Sequence, residues 1–428
     1  MCMLHIYHAR TPNSGRNLKG KAMRIHVTAG SPARQWIQVI TAAALVAGCG
    51  GGGGDAATPA LGASGSSSGS SFAAGTIAGF GSVIVNGIRF DDSKAKVSDD
   101  EGAAANSSAL RLGMRVEIEG AAVSDDGTGA RAEAKEIRFG SELVGTVSAV
   151  NAGAKSLVVL GQTVVVLDTT VIDNRLVGGF AAITVGSVVE VHGIRDATTG
   201  AITATRIEPS AAAAGLKVRG PISALDSTAK TFTIGGTLIS YASVTLAPAA
   251  LANGMIVRVR LQSSAPVAGA LVATRIDGAA PRVDDANEAE IEGAITAFTS
   301  TASFSVNGMA VDASKATFPN GTAGLALGAQ VEVHGTSSNG VVMASTVKLE
   351  SHAERHAEGF ELHGAITALD AGAKTFVLRG VTVGYGSGAV DFRKGTAAQL
   401  AVGVQLEARG TLSADGTMLQ ATRISFGD

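Results

Sequence analysis

One structural phrase recurs five times along this chain. Gly75, Gly145, Gly220, Gly293 and Gly364 each open an alternating apolar segment, such as Thr76-Ile77-Ala78-Gly79-Phe80 or Ala365-Ile366-Thr367-Ala368-Leu369, at intervals of 70 to 75 residues. A period that long holds a full set of strands and turns. It therefore predicts five tandem small domains rather than one large core or a thin solenoid.

Within each unit the second phrase is an apolar-polar-apolar strand ending at a glycine turn, as in Val83-Ile84-Val85-Asn86-Gly87, Leu157 to Gly161, Phe232 to Gly236, Phe304 to Gly308 and Phe376 to Gly380. Period two buries one face, and glycine or Asn-Gly supplies the positive φ of a tight hairpin. A third strand leaves that turn, for example Met309-Ala310-Val311. An Ala/Leu-rich stretch follows (Ser108 to Leu112, Pro248 to Leu251, Ala397 to Leu400) with room for one helical turn.

The fourth phrase is bounded by glycine: Gly113 to Gly120, Gly186 to Gly193, Gly254 to Leu261, Gly328 to Gly335 and Gly403 to Gly410. Val116/Ile118, Val189/Val191, Val257/Val259, Val331/Val333 and Leu406/Ala408 face inward, while Glu117, Glu190, Arg258, Glu332 and Glu407 face the other way. His192 and His334 stand at the outward end of this strand and read as surface residues. The last strand carries Ala134 with Ile137, Ala204 with Ile207, Ala273 with Ile276, Ala344 with Val347 and Ala421 with Ile424. That three-residue step breaks the alternation and predicts a bulge or strong bend.

Three strands, a helical turn and two strands make the order of an OB-like Greek-key barrel. The expected fold class is all-β, with five tandem OB-like barrels at 75–140, 141–209, 216–277, 289–350 and 359–428. Small β-sandwiches are the alternative. The joints from Pro209 to Leu216 and from Gly278 to Glu290 are polar or small, which predicts separately folding units with few contacts across them. Gly75 to Gly87 and the glycine-bounded fourth strand resemble the domain of unknown function family 5666, found in bacterial lipoproteins and secreted proteins. The resemblance covers residues 75–428. It implies no activity and no catalytic residue, because its motifs are turn and core positions.

The start of the chain has a different composition. Residues 1–48 hold six basic residues and no Asp or Glu, followed by the apolar stretch Trp36 to Leu45 and by Val46-Ala47-Gly48-Cys49. The apolar run is short for a bilayer span, which favours a secretory signal. The four residues ending at Cys49 resemble the bacterial lipobox, which implies a lipidated Cys49 after removal of residues 1–48, with Met23 as a more ordinary start than Met1. Gly50, where Asp would retain such a lipoprotein, implies the outer membrane. Residues 49–74 then read as a Gly/Ser-rich tether. Without residues 1–48 the net charge moves from −2 to about −8. No Trp remains, and Cys49 has no partner for a disulfide.

Candidate chemistry is sparse. The joint from Glu350 to His363 is the densest polar cluster; His352 and His356 would share a helical face, and with His363 they are candidate ligands for a divalent transition metal. A solvated linker entering the first strand of unit five is the favoured reading, because no cysteine and no second fixed ligand set accompanies the histidines. Asp91-Asp92, Asp99-Asp100-Glu101, Asp125-Asp126 and Asp284-Asp285 are candidate calcium ligands that lack the alternating ladder of a dedicated loop and suit turn caps. Arg206, Arg275 and Arg423 recur on the last strand, but Glu136 and Thr346 interrupt them, so no basic stripe forms. An acidic chain without Trp is a poor single-strand binder. The expectation is a non-enzymatic outer-membrane lipoprotein with a structural or binding role, no cofactor, no nucleic-acid partner, and a membrane contact through its lipid. A periplasmic ligand- or metal-binding protein is the alternative.

Overall fold

Five small barrels of one topology stand in the computed structural model, which describes residues 69–427 apart from 126, 128, 212–214, 246–249, 351–358 and 387–389. Unit four shows the plan. Its first strand (Ala286–Ser300) pairs with Ser303–Val306, which pairs with Met309–Asp312; the last strand (Val341–Leu349) runs parallel to the third. The fourth strand (Gln330–Ser338) joins last to first and closes the barrel. The order 1-2-3-5-4-1, parallel only between third and fifth strands, holds in all five units. The barrel expectation is met and the sandwich is not. Closure removes most of the edge that a five-stranded open sheet would expose, and leaves parts of the first strands to pair with neighbouring barrels.

The alternation read from the sequence builds the cores. Ile291, Ile295, Val306, Val331, Val333 and Val347 all point into unit four and are buried. Short 3-10 turns at Ser107–Ala109 and Ala397–Gln399 occupy the Ala/Leu-rich stretches of units one and five, another at Gly179–Ala182 stands at the same place in unit two, and Pro248 and Ala249 of the unit-three stretch lie outside the described residues. The expected bulge occurs in every unit. Opposite the end of the fourth strand, Lys135, Thr205, Thr274, Ser345 or Thr422 is skipped in the register. That bulge explains a glycine. A Cβ on Gly335 or Gly410 would collide with the carbonyl of Met343 or Gln420 on the bulged strand.

The anchor glycines have a second cause. In units one and four the turn residues Asn86 (φ 50°) and Asn307 (φ 49°) fold back over Gly75 and Gly293, leaving no space for a Cβ. Asn307 Nδ2 donates to the Glu292 carbonyl at 3.0 Å, and Ala294 N–H donates to Asn307 Oδ1 at 3.2 Å. The first two phrases of a unit are thus locked to each other.

The units are not the separate bodies that the small, polar joints predict. Units one and four pair their first strands in parallel, from Ser71↔Glu288 to Ala74↔Ile291. Unit one also pairs with unit five at Gly79↔Glu361 and Phe80↔Leu362, and units two and three pair at Lys217↔Val144 and Val218↔Leu143. Units one, four and five therefore share one continuous sheet, and units two and three share another. The first strand of unit one begins at Ser70, inside the stretch read as tether, and is buried almost throughout. Its alternate residues feed two cores: Ala73 and Ile77 join the core shared by units one and five, while Phe72 and Ala74 complete that of unit four. The described residues belong to one compact unit.

Candidate functional site

The outward face of the fourth strand is polar in every unit, and in some units it meets a neighbouring barrel instead of water. In unit three Arg258 Nη1 lies 3.1 Å from Asp100 Oδ2 of unit one, Lys217 Nζ 3.3 Å from Asp100 Oδ1, and Arg260 Nη2 2.5 Å from Glu101 Oε2. Glu142 of unit two takes Arg219 of unit three at 2.5 Å and its own Arg195 at 3.8 Å. Glu361 of unit five accepts Arg89 of unit one at 2.5 Å and Arg409 at 3.0 Å. Asp100 and Glu101, weighed above as calcium ligands, are thus committed to inter-barrel ion pairs. Asp91, Asp99 and Asp125 accept backbone N–H bonds from Ser93, Glu101 and Gly127 at 2.8–3.0 Å, as turn caps do.

Cys49, His352 and His356 lie outside the described residues. His363 is exposed on the first strand of unit five, packed by its Cβ against Gly81 of unit one, and its carbonyl accepts from Arg379 Nε at 3.2 Å. Among the described residues, no group of three potential metal ligands includes it.

Two such groups do form, and both are built on Glu-X-His of the fourth strand: Glu190, His192 and Glu208 in unit two, and Glu290, Glu332 and His334 in unit four. In unit four His334 is 43% exposed, with Nε2 3.2 Å from Glu332 Oε1 and Nδ1 3.7 Å from Glu290 Oε2. Burial, then the charge of Glu332 and a hydrogen bond to it, push the Glu290 carboxyl up to about 9. Burial acts the same way on Glu332, but the hydrogen bond from His334 and the charges of His334 and Lys348 outweigh it and hold Glu332 at about 2. Unit four meets its excess of acid with a proton on Glu290 and the ammonium of Lys348, 3.5 Å from Glu332.

Unit two differs. His192, read from the sequence as a surface residue, is fully buried. Its Nδ1 sits 2.9 Å from the carbonyl of Gly140, the last residue of unit one's fifth strand (Ala130–Gly140). Its Nε2 has no hydrogen-bond partner and lies 3.8 Å from Glu190 Oε1. Burial drives the imidazole pKa below its ordinary value. Glu208 Oε2 accepts from Arg206 Nη2 at 2.8 Å and Nε at 3.1 Å, and Arg206 also binds Asp173 and the Leu112 carbonyl of unit one. Arg206 is itself buried.

The signal for these clusters was present in the chain. Of the five fourth strands only two carry Glu-X-His; the others read Glu-X-Glu (Glu117, Glu119), Arg-X-Arg (Arg258, Arg260) and Glu-X-Arg (Glu407, Arg409). What the spacing cannot show is that Glu208 arrives from the fifth strand in one unit and Glu290 from the first strand in the other.

No curated protein matches the chain. The profile described as "Domain of unknown function (DUF5666)" matches residues 144–208, 219–277, 292–348 and 363–425, which are the second to fifth barrels, and the first barrel repeats their topology. Those four matches cover more than half of the sequence, and the chain belongs to the DUF5666 family.

Proposed function

We propose that this protein is a non-enzymatic outer-membrane lipoprotein, held by Cys49, whose five barrels form one body with a structural or binding role at the cell envelope. The observation that carries the reading is the shared first strand. A strand whose alternate residues enter two cores ties those barrels together, which suits a scaffold or presenting surface better than a clamp that must hinge. The positions common to all five barrels are turn glycines and core residues, which favours shape over chemistry. The basic n-region, the apolar stretch and Gly48-Cys49 support the anchor. Envelope protein or polymer is the partner class; the acidic mature chain disfavours nucleic acid.

Palmitate labelling and membrane fractionation test the reading. Label and outer-membrane recovery should both disappear in Cys49→Ser; label that persists in that variant overturns it. A second reading, a periplasmic ligand- or metal-binding protein, draws support from the two Glu-X-His clusters.

A further inference from the structure

The environment of His192 is chemically incomplete. A backbone carbonyl can only accept, so the 2.9 Å contact with Gly140 places the proton on Nδ1 and leaves Nε2 with a lone pair. That lone pair is buried, has no donor, and faces the Glu190 carboxylate 3.8 Å away, acceptor against acceptor. An orphaned acceptor in a protein interior is costly, and a second acceptor opposite it adds repulsion. Glu208 brings a third. One ligand atom from each of Glu190, His192 and Glu208 lies within 4.8 Å of the other two, a span that a small closure converts to bonds of about 2.0–2.2 Å around one ion.

The outer contacts suit such an ion. The Gly140 carbonyl fixes the tautomer and orientation of the imidazole, and Arg206 holds Glu208 through one oxygen of a carboxylate that has further lone pairs. Arg206 and the exposed Arg175 both pair with Asp173 and lie beside Glu208, so with Glu190 the three carboxylates outnumber the two arginines and the site keeps one net negative charge. Imidazole with two carboxylates is a donor set for zinc or its first-row neighbours rather than for calcium or magnesium. Glu190 is the exposed member, with 29% of its side chain open, and marks the side from which an ion and its waters enter.

We infer that Glu190, His192 and Glu208 form a binding site for a divalent transition-metal cation, with solvent completing the coordination beside Glu190. The site joins the fourth and fifth strands of unit two and, through Gly140, the end of unit one. The inference rests on the ligand-binding reading and is independent of the lipid anchor, so palmitate labelling and metal binding fail separately.

The test uses the full chain, stripped with chelator and carrying His334→Ala to silence the unit-four cluster. Calorimetry with zinc should give one site per chain, and cobalt(II) should show a visible d–d spectrum with nitrogen and oxygen ligation. Glu190→Gln, at a half-exposed position, should weaken zinc on the order of 100-fold. His192→Asn, which keeps a donor for Gly140 but no Nε2, should do the same and abolish the zinc-induced rise in Tm. Absence of stoichiometric zinc in the His334→Ala chain overturns the proposal. So does binding unchanged in Glu190→Gln, or binding lost only when His352 and His356 are replaced.

Discussion

The fourth strands of units two and four carry the same Glu-X-His at the same place, yet His192 is fully buried with an unpartnered nitrogen while His334 is 43% exposed and paired with Glu332. The strand itself does not make the difference. In unit two the histidine is covered at the junction with unit one and anchored on Gly140. In unit four it stands at a more open edge, where Lys348 and a retained proton settle the charge. A polar face of a barrel acquires its chemistry from whichever neighbour covers it.

The largest effect should come from removing the cation of each cluster. Arg206→Ala removes the buried cation between Asp173 and Glu208, leaves them only the exposed Arg175, and should cost about 3–5 kcal/mol, whereas Lys348→Ala, at a partly solvated position, should cost no more than about 1 kcal/mol. Urea denaturation of both variants checks the contrast, and equal losses would break it. Phe72→Ala should cost a similar 3–5 kcal/mol, with the damage appearing in unit four although Phe72 belongs to a strand of unit one. Hydrogen exchange that loosens unit one alone would contradict the shared core.

A smaller effect depends on pH. Glu290 titrates near 4.5 when unfolded and near 9 when folded, so between those values the folded chain holds the extra proton and loses stability as pH rises. Glu332 has the opposite sense: its folded value near 2 contributes stability above 4.5 that is lost as pH falls towards 2. Glu290→Gln keeps a neutral group and removes the first slope. Relative to wild type it should gain about 1–3 kcal/mol between pH 5 and pH 9 in thermal melts, and a flat difference would show that no proton is held there. Least of all, His334→Ala should change metal-free stability by less than about 1 kcal/mol, against about 1–3 kcal/mol for His192→Ala, whose Gly140 contact is buried.

The five barrels were legible because their determinants are local. Alternation in Val331/Val333, the positive φ of Asn307-Gly308 and the Ala344/Val347 step all act between strands within one unit, and each appears in the structure as strand, turn and bulge. The Gly293 position was readable as an anchor, though not as the space into which Asn307 folds. The candidate site was half legible: Glu-X-His could be seen, but His192 looked exposed because outward on a strand usually means wet. Seams were not legible at all. Ser70 to Ala74 looked like the end of a Gly/Ser-rich tether, and the short joints suggested independent units. Local periodicity records the contacts a segment makes inside its own barrel, and that much the chain determined by itself. Which barrel covers which face depends on pairings such as Ala73↔Glu290, set by the shapes and open strand edges of barrels already closed. Only the tertiary structure decided that one Glu-X-His is buried without a partner for its nitrogen while the other lies in reach of solvent.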